Sequence, residues 1–275
     1  MQVQALDQEP TLNDILAIDS EELAERMLEP ATMRAIYEDT EEIIGRSRTP
    51  DSLYSLVHNA IKTMGEVWDN LAEDSEPSAC RKGCSMCCHQ SVMVTAPEVL
   101  LTVKLLRDNL AESEIDQLQA RVADRAKEIE GRTTNERMDS RIACAFLVDD
   151  ICSIYPARPL QCRGGYSEDV EYCRSLFDDR ETTQQGVADG SVDGRYMLIP
   201  KMLYDSAQVG MAGALKAEGL SADPLEFTTA MAVALADPNI AEKWLQGWPV
   251  FDGARLVRHA SANGDQYITE ADAAI

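Results

Sequence analysis

The chain has 275 residues, of which 45% are hydrophobic, and carries a formal net charge of −23 with a pI near 4.4. This length and composition are sufficient to bury the core of one large domain or of two small ones. So strong a negative charge repels the phosphates of nucleic acids and of anionic lipids, so we expect neither a nucleic-acid partner nor a membrane partner.

Helical periodicity dominates the first half of the chain. Residues 31–45 carry apolar side chains at helical spacing and end at a glycine. Thr49 and Pro50 form an N-cap and first turn that open a second helix, which should run to about residue 73. "TAPE", at 95–98, is a capping box that opens a third helix. A fourth amphipathic helix is predicted from about 114 to 131.

The second half contains a polar, glycine-containing stretch at 178–195, which predicts a surface loop or linker. Three further helices are predicted after it, at 196–218, 224–236 and 238–246, and a short hairpin is predicted around Asn263 and Gly264. No strand alternates with a helix, which argues against a doubly wound sheet or a (βα)₈ barrel.

These elements predict a mainly α fold: a helical protein with a central, irregular, cysteine-rich metal-binding region and at most a short β-hairpin. The expected parts are an N-terminal helical segment, a cysteine-cluster domain, a linker and a C-terminal helical region, at 1–48, 49–177, 178–195 and 196–275.

No stretch of the sequence has the character of a targeting or membrane-spanning segment. The N-terminal residues lack the basic and apolar regions of a secretory signal. Apolar runs such as "AMAVALA" at 230–236 are far shorter than the ~20 residues that a membrane span requires. We expect a cytoplasmic protein, in which thiols stay reduced and clustered cysteines bind metal more often than they form disulfides.

All eight cysteines lie in the middle third of the chain, and we expect them to act together as metal ligands: Cys80, Cys84, Cys87, Cys88, Cys144, Cys152, Cys162 and Cys173. The first four stand within "CRKGCSMCCH", which contains the C-x-x-C spacing of zinc knuckles and iron–sulfur ligand loops. Among the second four, the apolar runs "CAFLV" and "ICSIY" flank Asp149 and Asp150, which predicts a hairpin that brings two cysteines together.

Charge near the cysteines supports a soft metal. Aspartate and glutamate account for 48 of the 275 residues, yet neither occurs in 80–97 or 151–167. Cations stand there instead: Arg81, Lys82, Arg158 and Arg163. Thiolates around a divalent ion leave negative charge that neighbouring cations offset, whereas calcium or magnesium would require the missing carboxylates.

The motifs "C-x₃-C-x₂-C-C", "V-x-V-T-x-x-E" and "C-A-F-L-x₄-C-S-I-Y-x-x-R-P-x-x-C-R", in this order, resemble the YkgJ-type cysteine-cluster family. That family is a zinc- or iron-chelating domain also found in flagellin lysine N-methylase. The resemblance covers roughly 80–175 and implies a metal held by the cysteines, with Arg158, Pro159 and Arg163 on the same motif.

The cysteine pattern also has features of two other kinds of cofactor site. Cys80, Cys84 and Cys87 also spell the three-cysteine pattern of radical S-adenosylmethionine enzymes, but Met86 stands where an aromatic residue is usual and the βα repeats are absent. Haem attachment requires a histidine where Cys88 stands. His89 is a candidate neighbour of the ligands, together with Arg158 and Arg163.

The sequence therefore predicts a metal-binding module that holds zinc or an iron–sulfur cluster, with a structural, redox or partner-recognition role. A metalloenzyme that modifies a protein or peptide is the alternative. The spacing decides neither the metal nor the number of sites, and it leaves open whether the protein is an enzyme.

Overall fold

The computed structural model describes residues 21–72, 77–194, 196–261 and 264–267, with the backbone alone at 21–27 and from 258 onwards. Within these residues the chain forms eleven α-helices. They are α1 Glu21–Arg46, α2 Pro50–Leu71, α3 Ala96–Asn109, α4 Glu112–Ile129, α5 Thr134–Asp139, α6 Leu160–Gly164, α7 Val170–Asp178, α8 Arg180–Asp189, α9 Leu198–Ala217, α10 Phe227–Ala236 and α11 Ile240–Leu245.

The strands of the described residues form three antiparallel pairs. They are β1 Met93–Val94 with β4 Leu225–Glu226, β2 Leu147–Val148 with β3 Ile151–Cys152, and β5 Val257–Ser261 with β6 Gly264–Tyr267. The mainly α class is confirmed, although the β content exceeds the single short hairpin that was expected.

The two helix starts that the sequence marked most clearly are present. The Thr49 hydroxyl accepts a hydrogen bond from the Ser52 N–H at 3.3 Å and caps α2. Thr95 and Glu98 form the predicted capping box of α3. The predicted apolar face of α2 is buried at Leu53, Leu56, Val57, Met64 and Val67, because these side chains recur at helical spacing and meet the rest of the core.

Helix α9 lies at the centre of the packing and contacts α1, α2 and α6, while α10 packs against α3 and α4. The α1–α9 approach depends on Gly210, because a Cβ there would lie 2.3 Å from the carbonyl oxygen of Met33. The buried apolar side chains of the described residues form one cluster that includes Phe146, Leu203 and Phe227. The cysteine-rich region therefore shares its core with the helices before and after it.

The predicted hairpin at Asp149 and Asp150 is confirmed. Both residues have positive φ, at 50° and 58°, and strands β2 and β3 pair Leu147 with Cys152. Two successive residues with positive φ give the twist that a two-residue hairpin loop requires, and aspartate tolerates this conformation. The hairpin near the C-terminus is also present as β5 and β6, but Asn263 lies outside the described residues.

The prediction of a loop at 178–195 is wrong for its first two thirds, because α8 occupies 180–189. The Asp179 carboxylate accepts a hydrogen bond from the Thr182 N–H, and Gly190 ends the helix in the left-handed conformation. These capping residues define a helix that has almost no apolar face, since only Thr183 and Gly186 are buried. The division of the chain into domains stays a prediction. No helix of the described residues has the length and apolar character to cross a membrane.

Candidate metal centre

The first four cysteines lie on a loop and a single 3₁₀ turn. Gly83 has a φ of 89°, a left-handed conformation that suits glycine, and the chain then forms the turn Met86–His89. The Cys88 N–H donates to the Ser85 carbonyl at 2.9 Å. Cys80 and Cys87 are exposed, whereas Cys84 and Cys88 are half-buried.

Hydrogen bonds join this loop to the segments that carry the other four cysteines. The Cys144 N–H donates to the Cys88 carbonyl at 2.7 Å. The Ser85 hydroxyl donates to the Asp150 carboxylate at 2.6 Å, so the β2–β3 turn contacts the first loop directly. The Ala79 N–H donates to the Ser167 carbonyl at 2.8 Å. Cysteines distant in sequence are thus brought to one region of the molecule.

All eight thiols are free, and their mutual electrostatic effects separate them into two groups. The first contains Cys80, Cys84 and Cys173, since the Cys173 thiol is influenced by the other two. The second contains Cys88, Cys144, Cys152 and Cys162. Cys87 influences both groups. Cys87 therefore interacts electrostatically with members of both groups.

The thiols differ in how readily they ionise. A hydrogen bond from the Cys88 thiol and the attraction of the Arg158 guanidinium lower the pKa of Cys87 to about 7, against the opposing effect of burial. The same hydrogen bond and burial raise the pKa of Cys88. Burial raises the pKa of Cys144 to about 11 and the pKa of Cys162 well above its ordinary value. Metal binding in the second group must therefore displace protons, because the thiolate is the ligand.

The four cations in 80–97 and 151–167, the two windows without aspartate or glutamate (the acid-free windows), make different contacts. Arg158 attracts the thiolate forms of Cys87, Cys152 and Cys162, an effect that opposes the rise in pKa that burial causes at each. Its guanidinium stacks 4.2 Å from the Tyr155 ring centroid.

Arg163 instead donates to the carbonyl groups of Arg158 and Pro156, at 2.9 and 2.5 Å, and so holds the turn before α6. Arg81 and Lys82 are exposed, and Arg81 lowers the pKa of Cys84 only as a minor effect. Arg158 therefore acts on more of the thiols than the other cations of this set, although Arg163 also interacts with Cys162.

Two buried charged residues complete the surroundings. Arg137, on α5, is 1% exposed and acts on the Cys144 thiol; the sequence analysis did not identify it. Glu98, 2% exposed, accepts hydrogen bonds from the Thr95 N–H, the Thr95 hydroxyl, the Gln208 amide and the Leu160 N–H at 2.7, 2.9, 2.8 and 2.9 Å. Through its bond to Leu160, Glu98 fixes the start of α6, the helix that carries Cys162.

The contacts of the His89 ring are with a backbone carbonyl group and an aromatic ring. Its Nδ1 is 3.1 Å from the Ser85 carbonyl oxygen, and its ring meets the Phe177 ring edge-on at 5.0 Å. It lines a cavity of about 230 Å³ whose wall includes the cysteines of the first group and Cys87. The first group is therefore reachable from this cavity.

The donor set fits zinc or iron in chemistry, although the sulfur atoms stand apart. Cysteine thiolates are ligands that soft metals prefer, and eight reduced thiols are present. Arginines near them can offset the negative charge of the thiolates. Among the described residues, however, no three histidine, cysteine, aspartate or glutamate side chains are arranged so that they could hold one metal ion. Binding by three or more of these side chains would thus require their sulfur atoms to move closer together.

Comparison with known proteins agrees with this chemistry. No curated protein and no solved structure matches the chain. Residues 79–176, which contain all eight cysteines, match the model of the CxxCxxCC family, described as a "Putative zinc- or iron-chelating domain".

Proposed function

We propose that the protein binds zinc or iron, as ions or as an iron–sulfur cluster, through its eight cysteines and uses the metal in a structural, redox or partner-recognition role. The observation that carries the proposal is that hydrogen bonds between separate segments bring eight free thiols to one region of the molecule. Such a cluster of reduced thiols is stable in the cytoplasm, where we expect the protein to act.

The two thiol groups define the ligand sets that we propose. One centre would use Cys80, Cys84, Cys87 and Cys173, and the other would use Cys88, Cys144, Cys152 and Cys162. Four thiolates suffice for a tetrahedral zinc site or for an iron–sulfur cluster. Arg158 supplies positive charge to both sets, Arg163 keeps the turn before α6 in place, and His89 borders the first set.

Metal analysis of anaerobically purified protein, together with its visible spectrum, tests the proposal. Broad visible absorption with bound iron would identify an iron–sulfur cluster, and colourless protein containing zinc would identify zinc sites. Changing Cys84 to Ser should remove metal from the first set, and changing Cys144 to Ser should remove it from the second. Protein that binds neither metal under reducing conditions would contradict the proposal.

Metal removal should also affect the central region as a whole, here taken as the unit 49–177. Closing the thiols on an ion couples metal binding to folding. We expect a chelator to lower the melting temperature and to make residues 79–176 sensitive to protease. An unchanged melting curve after verified metal removal would count against this coupling.

A metalloenzyme that modifies a protein or peptide is the second candidate, and the cavity beside Cys80, Cys84, Cys87 and Cys173 favours it. A catalytic metal keeps a ligand position open to substrate, whereas a structural metal is fully enclosed by protein ligands. Exchangeable water or added thiol on the metal of the first set, detected spectroscopically, would support the enzyme. A closed four-thiolate site would leave only the binding module.

A further inference from the structure

Arg137 is a buried cation without an ion-pair partner among the described residues. Its side chain is 1% exposed, its buried Nε lacks a hydrogen-bond partner, and no ion pair involves it. Burial also lowers its pKa. A buried guanidinium that lacks a carboxylate needs some other source of negative charge or strong acceptors nearby.

The hydrogen bonds of Arg137 go to the two segments that carry Cys88 and Cys144. Its Nη1 donates to the carbonyl of His89, at 3.4 Å, and to the carbonyl of Ile142. His89 directly follows Cys88, and Ile142 stands two residues before Cys144. One guanidinium nitrogen therefore links the end of the first cysteine loop to the start of the second cysteine segment.

Glu226 is the competing explanation for the buried charge, because it also attracts Arg137. Its carboxylate, however, caps α10 by accepting hydrogen bonds from the Thr229 N–H and hydroxyl at 2.8 and 3.1 Å. The Cys144 thiol is the next attractive group, and Arg137 and Cys144 each act on the other. Glu226 therefore makes these hydrogen bonds within α10, whereas the hydrogen bonds of Arg137 go to the two cysteine segments.

We propose that Arg137 is a positioning residue of the metal centre: it holds the Cys88 and Cys144 segments together by hydrogen bonds to the carbonyl groups of His89 and Ile142. This inference rests on the proposed function, since the thiolates exist as ligands only when metal is bound. It assigns the role to a residue on α5 that lies outside both acid-free windows.

The test is anaerobic titration of the metal-free full chain with Co²⁺, followed by its thiolate-to-cobalt absorption, and competition with Zn²⁺. Residues that support metal ligands typically contribute about 10–100-fold to affinity, and we expect a loss of this size for the second set in Arg137→Met. Arg137→Lys should bind more tightly than Arg137→Met, because its ammonium group can still donate a hydrogen bond to one of the two carbonyl groups. Arg107→Met is the matched control, since Arg107 also donates to a backbone carbonyl, that of Leu235, at 3.1 Å.

Thermal unfolding separates this role from a purely structural one. Arg137→Met should lower the melting temperature of the metal-bound protein much more than that of the metal-free protein, whereas a structural contact would lower both equally. Equal losses, or folded Arg137→Met with wild-type affinity for metal, would overturn the inference. If Arg137→Met does not fold, Arg137→Lys is compared with Arg107→Lys, and equal metal affinities would overturn it. A wild-type chain that binds no metal would instead refute the proposed function.

Discussion

Reversing the charge of Arg158 should weaken metal binding more than reversing the charge of Arg163, although Arg163 is the neighbour of Cys162 in sequence. Arg158 acts on the thiols of three cysteines, whereas Arg163 donates to carbonyl groups of the turn before α6. The two arginines are five residues apart and both are half-buried, so they form a matched pair for this comparison.

The size of the effect follows from Coulomb's law. At ~6 Å and an effective dielectric near ~20, one unit charge contributes about 3 kcal/mol to its interaction with a thiolate, and Arg158→Glu changes the charge by two units. Solvent screening of a half-buried side chain reduces this several-fold. We expect a net loss of about 1–3 kcal/mol, which corresponds to roughly 5–150-fold weaker binding.

The assay is competition for Zn²⁺ between the folded chain and a chromophoric chelator under anaerobic conditions. Arg158→Met should lie between wild type and Arg158→Glu, since it removes one charge without adding the opposite one. Arg46→Glu, at an exposed ion pair on α1, controls for the change in overall charge. Wild-type affinity in Arg158→Glu, or an equal loss in Arg163→Glu, would refute the assignment of Arg158 as the cation that acts on more of the thiols.

Three further predictions concern stability and reactivity. Glu98→Gln should lower the free energy of unfolding by about 1–3 kcal/mol, because the new amide N–H must face one of four hydrogen-bond donors; an unchanged denaturation midpoint would contradict this. Gly210→Ala should destabilise the protein by about 1–3 kcal/mol, since its Cβ would meet the Met33 carbonyl oxygen at 2.3 Å. Gly213→Ala, whose Cβ would meet only a ring carbon at 3.4 Å, is its control, and equal melting temperatures for the two variants would refute the reasoning. In metal-free protein, iodoacetamide should modify Cys87 first, with a rate that rises as the pH passes about 7, because the thiolate is the reactive form; peptide mapping that finds another cysteine modified first at pH 7 would contradict it.

Local signals in the sequence predicted local structure well. Thr49 with Pro50, the capping box at Thr95, and the hairpin turn at Asp149 and Asp150 each involve residues within four positions of one another. Their geometry is set by hydrogen bonds and backbone conformations that those residues determine themselves. The same reasoning grouped the cysteines, because cysteines confined to one third of the chain can converge only there.

Helix α8 is marked in the sequence only by its capping residues, which is why a loop was predicted in its place. Its sequence has no apolar periodicity, and periodicity was the main signal for the helices that the sequence predicted. Asp179 and Gly190 mark its two ends, but the same residue types are frequent in loops. A polar helix between two capping residues therefore cannot be distinguished from a loop by composition.

Long-range contacts of charged side chains could not be predicted from spacing. Arg137 lies in the polar sequence "TTNERMD", which gives no sign that its side chain is buried or that it links two cysteine segments. Likewise, the sequence names Arg158 and Arg163 together, and only the fold shows that Arg163 donates to the carbonyl groups of Arg158 and Pro156. Which cation acts on more of the thiols depends on how the turn folds.

The two thiol groups differ in access, and this difference bears on what each could do with a metal. The first group borders a cavity of about 230 Å³ that adjoins a second cavity of about 620 Å³ along α7 and α8. The second group is held among β2, β3 and α6, with Arg137 and Arg158 close to its thiols. A metal held among these strands and this helix would suit a structural role, whereas a set open to a cavity can admit a further ligand. Under the proposed function, ligand exchange is therefore expected at the set that contains Cys80.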